Sequence, residues 1–391
     1  MAKNSRREFF QKTAAASVGL TLAPSLLGES GKTRSEKPVA KTATPEWRNK
    51  QDGMSYRMLG KTGMMVSELV IGTFPFKDPK YFPVLDAEIE RGMNYVDSAA
   101  GYSKGQVETT IGSYLKESGS RERVFLATKL SAYYSYIDEV LKEVESGLTQ
   151  SKKDGLREKA EEMMANRGVL KPGYHMNYFN GQEGQFPKTY YRHLMLQEYG
   201  YKSGWKKKIK EHAHRLLEES LKRLQTDYVD VLHCPHGISM PEMMEDDVLR
   251  EVFEEFKQKG MIRAAALSFH NDVAANLSKA IEVGYYDTAM FAYNIANHAA
   301  LESVIFKGKE AGLGMIAMKV ARLFAMNNQP EWRVDKLDTA ISENTLSVFS
   351  KAYLWALQNP NLSSCVSQME TIDEVADNYK IVGKKVEIQP V

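Results

Sequence analysis

From residue 55 onward, short apolar runs alternate with longer stretches in which apolar and charged residues are mixed. After a hairpin over 55–67, the runs predict strands at 69–73, 95–99, 124–130, 228–234, 262–269, 288–293, 314–320 and 364–368. The intervening stretches predict helices at 80–92, 106–118, 210–224, 246–259, 272–283, 298–311, 343–358 and 371–382. Strand and helix in regular alternation mark a parallel α/β protein. Eight such units close most economically as a (β/α)8 TIM barrel, here spanning 55–385 behind an N-terminal β-hairpin.

One segment breaks the rhythm. Residues 131–209 lie where a short crossover would suffice, and they read as a large helical and aromatic insertion after the third barrel strand. Its first half predicts charged helices at 137–148 and 153–167. Its second half, 174–205, holds nine aromatics in 32 residues, against 10% for the whole chain. Because it leaves a strand at its C-terminal end, it starts on the face where barrel enzymes place their chemistry. The aromatics read either as a lid or substrate wall, or as the insertion's own small core or an oligomer contact.

The first 54 residues follow a different pattern. Ser5-Arg6-Arg7-Glu8-Phe9-Phe10-Gln11-Lys12 and the mild apolar run after it resemble a twin-arginine export signal over 1–30. That reading implies the twin-arginine export machinery as a partner and a periplasmic destination; a short basic amphipathic helix is the alternative. The apolar run is too short for a permanent membrane span. Residues 31–54, rich in Lys, Ser, Thr, Gly and Pro, read as a disordered linker.

Composition narrows the function classes. A hydrophobic share of 43% and a charged share of 26% describe an ordinary globule. The net charge of +2 gives no reason to invoke nucleic acid or a membrane surface. Cys234 and Cys365 form no metal-binding spacing and no disulfide framework, and both read as buried free thiols in strands. There is no glycine-rich dinucleotide fingerprint after a strand, no nucleophile elbow and no Cys/His cluster for metal.

The stretch Asp97-Ser98-Ala99-Ala100-Gly101-Tyr102, with Lys129 one unit later, suits carbonyl reduction. Hydride addition to a carbonyl leaves an alkoxide that needs a proton. A free tyrosine is a weak acid at neutral pH, and a neighbouring ammonium is expected to lower its pKa. A carboxylate beside that lysine would fix its position and charge.

These residues sit in a wider pattern that resembles the aldo-keto reductase family. Tyr56-Arg57-Met58-Leu59-Gly60-Lys61-Thr62-Gly63, Val66-Ser67 and Ile71-Gly72-Thr73 are similar to the family's opening. Gly92-Met93-Asn94-Tyr95-Val96-Asp97, then Tyr102, Glu108 and Gly112, resemble its strand–helix signature, and Ala127-Thr128-Lys129 its lysine segment. The resemblance covers roughly 55–130 and 210–380. It implies a NAD(P)(H)-dependent oxidoreductase acting on a small carbonyl substrate, with Asp97, Tyr102 and Lys129 catalytic; the aromatic faces of 174–205 would suit a sugar-like one. It also implies a histidine at the end of the fourth strand, where Asp230-Val231-Leu232-His233-Cys234-Pro235-His236-Gly237 offers two with unusual spacing. His236, further toward the C-terminal face, is favoured over His233.

The resemblance places the nucleotide against Gly72, Thr73, Ser268, His270, Asn271 and Lys319. Near the last helix it places Gln368, Met369, Thr371, Glu374 and Asn378. The family usually holds NADP(H) by its 2′-phosphate with a lysine and an arginine, whose places fall on Gln368 and Glu374. A carboxylate repels a phosphate dianion, so these positions favour NAD(H). Met290 and Met318 stand where a glutamine and an aromatic beside the nicotinamide are usual. A regulatory or sensing nucleotide-binding barrel without turnover is the alternative, and the retained Asp97, Tyr102 and Lys129 favour the enzyme.

Overall fold

A computed structural model of the chain describes residues 43–169, 171, 176–326 and 330–390. The expected export signal at 1–30 lies outside the described residues.

The chain enters through three short strands, β1 (Glu46–Trp47), β2 (Tyr56–Met58) and β3 (Met64–Ser67), in the order β1-β3-β2. β2 and β3 form the expected antiparallel hairpin. Eight parallel strands then close a barrel: β4 (Leu69–Gly72), β5 (Tyr95–Asp97), β6 (Phe125–Lys129), β7 (Val229–Gly237), β8 (Ile262–Phe269), β9 (Thr288–Ala292), β10 (Gly314–Met318) and β11 (Ser364–Ser367). Closure pairs Cys365 with Leu69 and Ser367 with Ile71. This is the expected (β/α)8 barrel.

Inside it, alternate strand residues point to the axis. Val70, Tyr95, Phe125, Val231, Ala264, Met290 and Ile316 form one buried cluster with Leu59, Met64 and Val66 of the entry hairpin, which therefore plugs one end. The plug is tight: Gly60 has φ 53°, and a Cβ there would lie 2.2 Å from the Gly314 backbone nitrogen. Only glycine suits that place.

The linker expected over 31–54 is, in its described part, packed against the barrel. β1 pairs with β3, and Arg48 donates to the Val124 carbonyl at 2.7 Å and to the fully buried Asp230 at 3.2 Å. Asp230 also accepts from Arg121, Arg263 and the Leu126 amide. Burial pushes its pKa up, but Arg121, Arg48 and Arg263 outweigh that and hold it below the ordinary value. Polar composition suggested a free linker; the β1 pairing, Asn49 donating to the Ile89 and Met93 carbonyls, and Arg48 reaching a buried carboxylate anchor it.

Between β6 and β7 stand helices Tyr133–Ser146, Gln150–Arg167, Gln185–Tyr199 and Ser203–Leu224. The sequence pattern did not predict the Gln185–Tyr199 helix, because its aromatics obscure the periodicity. It also missed the Trp332–Ala340 helix. The segment's aromatics divide between two surroundings. Phe186 and Tyr190 build a small core with Ala160, Met164 and Val169, closed by Ile238, Met240 and Met243 after β7. Tyr178 and Phe179 instead reach His270 beyond the end of β8.

Candidate active site

The C-terminal ends of β5 and β6 bring the first two candidates together. Strand register pairs Asp97 with Ala127, one layer below Lys129. Both side chains face the barrel axis and are almost wholly buried, at 3% exposure. The Lys129 Nζ donates to Asp97 Oδ1 and to the Ser98 carbonyl, each at 2.7 Å. Burial works against the ammonium, but Asp97 and Tyr102 raise the Lys129 pKa and keep it charged. Asp97 itself is pushed up by burial, with Lys129 acting against the rise.

Tyr102 follows on a tight turn, its amide bonded to the Ala99 carbonyl at 3.0 Å. Lys129 Nζ lies 4.9 Å from the centre of its ring. Its hydroxyl does not show the simple lowering expected from sequence. Burial raises the Tyr102 pKa, Lys129 pulls it down, and burial wins. The lysine still supplies the downward pull, and its ammonium stabilises any negative charge that develops on the phenolic oxygen.

The two histidines are separated by a β-bulge. Along β7 the paired residues advance from His233 to His236, three steps, while β8 advances two, from Ala266 to Ser268. Without the extra residue His236 would point outward, since pleated side chains alternate. With it, His236 takes the inward position at the Ser268 level, one layer above Lys129 and His233. His233 lies below it, fully buried, with Nδ1 3.3 Å from the Leu267 carbonyl. Burial and the Lys129 charge push the His236 pKa down to about 3 and that of His233 well below its ordinary value. Both imidazoles are neutral at physiological pH.

The remaining candidates divide by what their side chains touch. Thr73 donates to the Asp97 carbonyl at 2.8 Å, beside Gly72, whose register partner is Asp97. Ser268 is inward and buried, its hydroxyl 4.0 Å from the Met318 sulfur. His270 packs edge-on against Phe179 at 5.2 Å, and its Nδ1 is buried without a partner among the described residues. Lys319 follows β10 in a left-handed conformation, φ 60°. Asn271 is committed elsewhere: its side chain accepts from the Ser239 amide and donates to the Ser239 carbonyl, tying two loops together. Met369 is buried, and Asn378 accepts from Ser350 to join two helices. Gln368 is exposed and donates to Glu370 at 3.0 Å. Thr371 accepts from the Glu374 amide while Glu374 accepts from the Glu370 amide, a close variant of the capping box.

Three residues of the site carry contacts that the sequence did not assign. Phe74, 60% exposed, stands edge-on to Tyr102 at 5.1 Å. Ser98 lends its carbonyl to Lys129 while its own hydroxyl is buried without a partner among the described residues. Tyr178 is held by three groups: Asn294 donates to its hydroxyl at 2.9 Å, Arg322 to its carbonyl at 3.3 Å, and its amide donates to Gln182. Strand-end position was the available signal for Phe74, Ser98 and Asn294 alike. Among the described residues no group of three or more His, Cys, Asp and Glu is placed to hold a metal ion.

Comparison with known proteins places this geometry. The uncharacterized oxidoreductase YrpG of Bacillus subtilis is 23% identical over 84% of this chain and 91% of its own. The fold is shared with a holo-form aldo-keto reductase of Bacillus halodurans, at TM-score 0.56 and 23% identity over 85% of this chain and 92% of that one. It is shared also with an aldo-keto reductase of Klebsiella pneumoniae in complex with NADPH, at TM-score 0.55 and 15% identity over 85% and 91%. The model of the aldo/keto reductase family matches residues 68–173 and 191–389, and the unmatched stretch between them is the one that carries Tyr178 and Phe179. With that match across most of the barrel, the chain belongs to the aldo/keto reductase family.

Proposed function

We propose that the protein is a NAD(P)H-dependent oxidoreductase interconverting an aldehyde or ketone with the alcohol, with Tyr102 as proton donor. The observation that carries this is the Lys129 ammonium, held between Asp97 and the Ser98 carbonyl with the Tyr102 ring beside it. A bound reduced nicotinamide would supply the hydride. The barrel mouth fits such a group: Ser98 Oγ, His233 Nε2 and His270 Nδ1 are buried polar atoms without partners among the described residues. Thr73, Ser268 and His270 would hold it there. Neutral His236 is suited to hydrogen-bond the substrate oxygen, and Tyr102 to pass it a proton as negative charge develops. Asp97 keeps Lys129 charged and in place. The regulatory reading gains no observation of its own.

For the nucleotide, Gln368 and Glu374 support NAD(H) binding at least as well as NADP(H). The Glu374 carboxylate stays at the start of the Ile372–Tyr379 helix, bonded to the Glu370 amide at 2.6 Å. It occupies with negative charge the end of a helix that would otherwise attract a phosphate. Fluorescence titration with NADH and NADPH tests this, and a tenfold preference for NADPH would refute it. Residues 1–30 are proposed to direct export to the periplasm; no described helix is long and apolar enough to cross a membrane. A reporter fusion retained in the cytoplasm would refute that.

Tyr102→Phe tests the central reading. Turnover should fall about 100-fold or more, the scale of a positioned general acid, while nucleotide affinity holds. Unchanged turnover would remove Tyr102 from the mechanism.

A further inference from the structure

Asp97 and Tyr102 belong to β5 and the turn after it, whereas Lys129 belongs to β6. Their alignment therefore depends on ties between that turn and the neighbouring strand. Two such ties bracket Tyr102. On its N-terminal side the Gly101 amide donates to the hydroxyl of Ser131, two residues beyond Lys129, at 2.9 Å. On its C-terminal side the tie runs through a carboxylate. Glu108, in the first turn of the Gln106–Glu117 helix, is fully buried. One of its oxygens accepts from the Thr128 hydroxyl at 2.5 Å, the other from Arg223 Nε at 2.7 Å. Thr128 is the neighbour of Lys129 on β6 and faces outward, since Lys129 faces the axis. Arg223 lies over Gly105, three residues after Tyr102: a Cβ there would come within 2.9 Å of the arginine Cδ and Nε. Between the two ties the backbone is strained. Ser103 and Lys104 are both left-handed, at φ 46° and 55°, and Gly105 follows at 89°. Residues with a Cβ keep that conformation only where the surroundings impose it.

We infer that Glu108 is a positioning residue for proton transfer: it clasps the Tyr102 turn to the strand that carries Lys129, and so acts through Tyr102. The inference rests on the oxidoreductase reading above and adds a residue to that same site. Helix packing alone does not call for a charge at this place. An apolar side chain of similar size would fill the gap between helix and strand without the desolvation penalty of a buried carboxylate. Glu108 instead divides its two oxygens between the strand and the arginine that covers the turn. Thr128 and Arg223 are thereby fixed relative to each other, and with them Lys129 and the far end of the turn. Ser131 holds the near end. Opening the clasp lets the strained turn relax, which shifts the phenol relative to the reacting oxygen. A misplacement of about 1 Å can cost about 100-fold in rate. The clasp lies on the outer side of β6, away from bound nucleotide and substrate, so the loss should fall on kcat.

The test is a double-mutant cycle on the full chain, read as kcat and KM for reduction of 4-nitrobenzaldehyde by NADH or NADPH. Glu108→Gln keeps the side-chain volume and an acceptor for Thr128, and gives up the charged acceptor for Arg223. It should lower kcat at least tenfold while KM and nucleotide affinity stay within threefold. In the Tyr102→Phe background the same substitution should cost less than threefold, because a residue that acts through Tyr102 then has nothing to act on. Thr128→Val should follow the same pattern, and Thr128→Ser, which keeps the hydroxyl, should retain most of the parent kcat. Equal losses in the two backgrounds would reduce Glu108 to a structural role and overturn the inference, as would a defect carried by KM. Should Glu108→Gln fail to fold, the two Thr128 variants decide by the same criteria. A parent that reduces the aldehyde with neither nucleotide would sink the oxidoreductase reading itself, and is distinguishable because no substitution is involved.

Discussion

Replacing Lys129 by methionine tests the centre of the site through stability as well as chemistry. The substitution keeps much of the side-chain volume and removes the charge. Asp97, 3% exposed, then loses the ammonium 2.7 Å away. Breaking a buried pair from one side costs about 3–5 kcal/mol. An upper bound follows from the alternative open to Asp97, which is to bind a proton. Moving a carboxyl from its ordinary value to neutrality at pH 7 takes about three units, or ~4 kcal/mol. The deficit at pH 7 is therefore expected at about 3–4 kcal/mol. Its pH dependence has a definite sign. Asp97 is already raised by burial, and losing Lys129 raises it further, so the folded variant binds a proton that the unfolded chain releases. The deficit is full above the folded pKa and disappears below the unfolded one, shrinking by on the order of 1.4 kcal/mol per unit between them. Urea unfolding of parent and variant at pH 7 and pH 5 reads both quantities. The double variant Lys129→Met/Asp97→Asn, which leaves no buried charge, should regain more than half the lost stability while remaining inactive. A deficit under about 1 kcal/mol at pH 7, or one that does not change with pH, would refute the coupling.

Other outcomes can be stated briefly. Because the His236 pKa lies at about 3, no limb near pH 6.5 should appear in the pH profile of kcat/KM, and a limb there lost in His236→Gln would refute the neutral imidazole. Asp230→Ala should destabilise the fold by about 3–5 kcal/mol, since it removes the fully buried carboxylate shared by Arg48, Arg121 and Arg263 and leaves only the more exposed Glu46 beside Arg48 and Arg263; a urea midpoint unchanged from the parent would show the cluster to be unimportant. Tyr178→Phe removes the hydroxyl that accepts from Asn294 and should raise KM for the best substrate severalfold without moving nucleotide affinity. A matching loss of nucleotide affinity would show that Tyr178 does not act through a substrate wall.

The barrel was legible in the chain because each strand–helix unit is a local pattern repeated eight times. Asp97 and Lys129 were legible for the same reason: both stand at the ends of apolar runs, where a parallel barrel exposes side chains to one face. What tertiary structure decided depended on partners far away in sequence. The inward turn of His236 comes from a bulge against β8, and no property of residues 230–237 alone sets that register. Arg48 lies 182 residues from Asp230, so the composition of its own segment could not reveal the anchor. Asn271 and Asn378 have the residue type of ligand-binding positions, but Ser239 and Ser350 engage their amides. Whether Tyr102 is lowered or raised rests on the balance between one neighbouring charge and the surrounding low-dielectric wall. Sequence supplies the charge, and only the folded chain builds the wall.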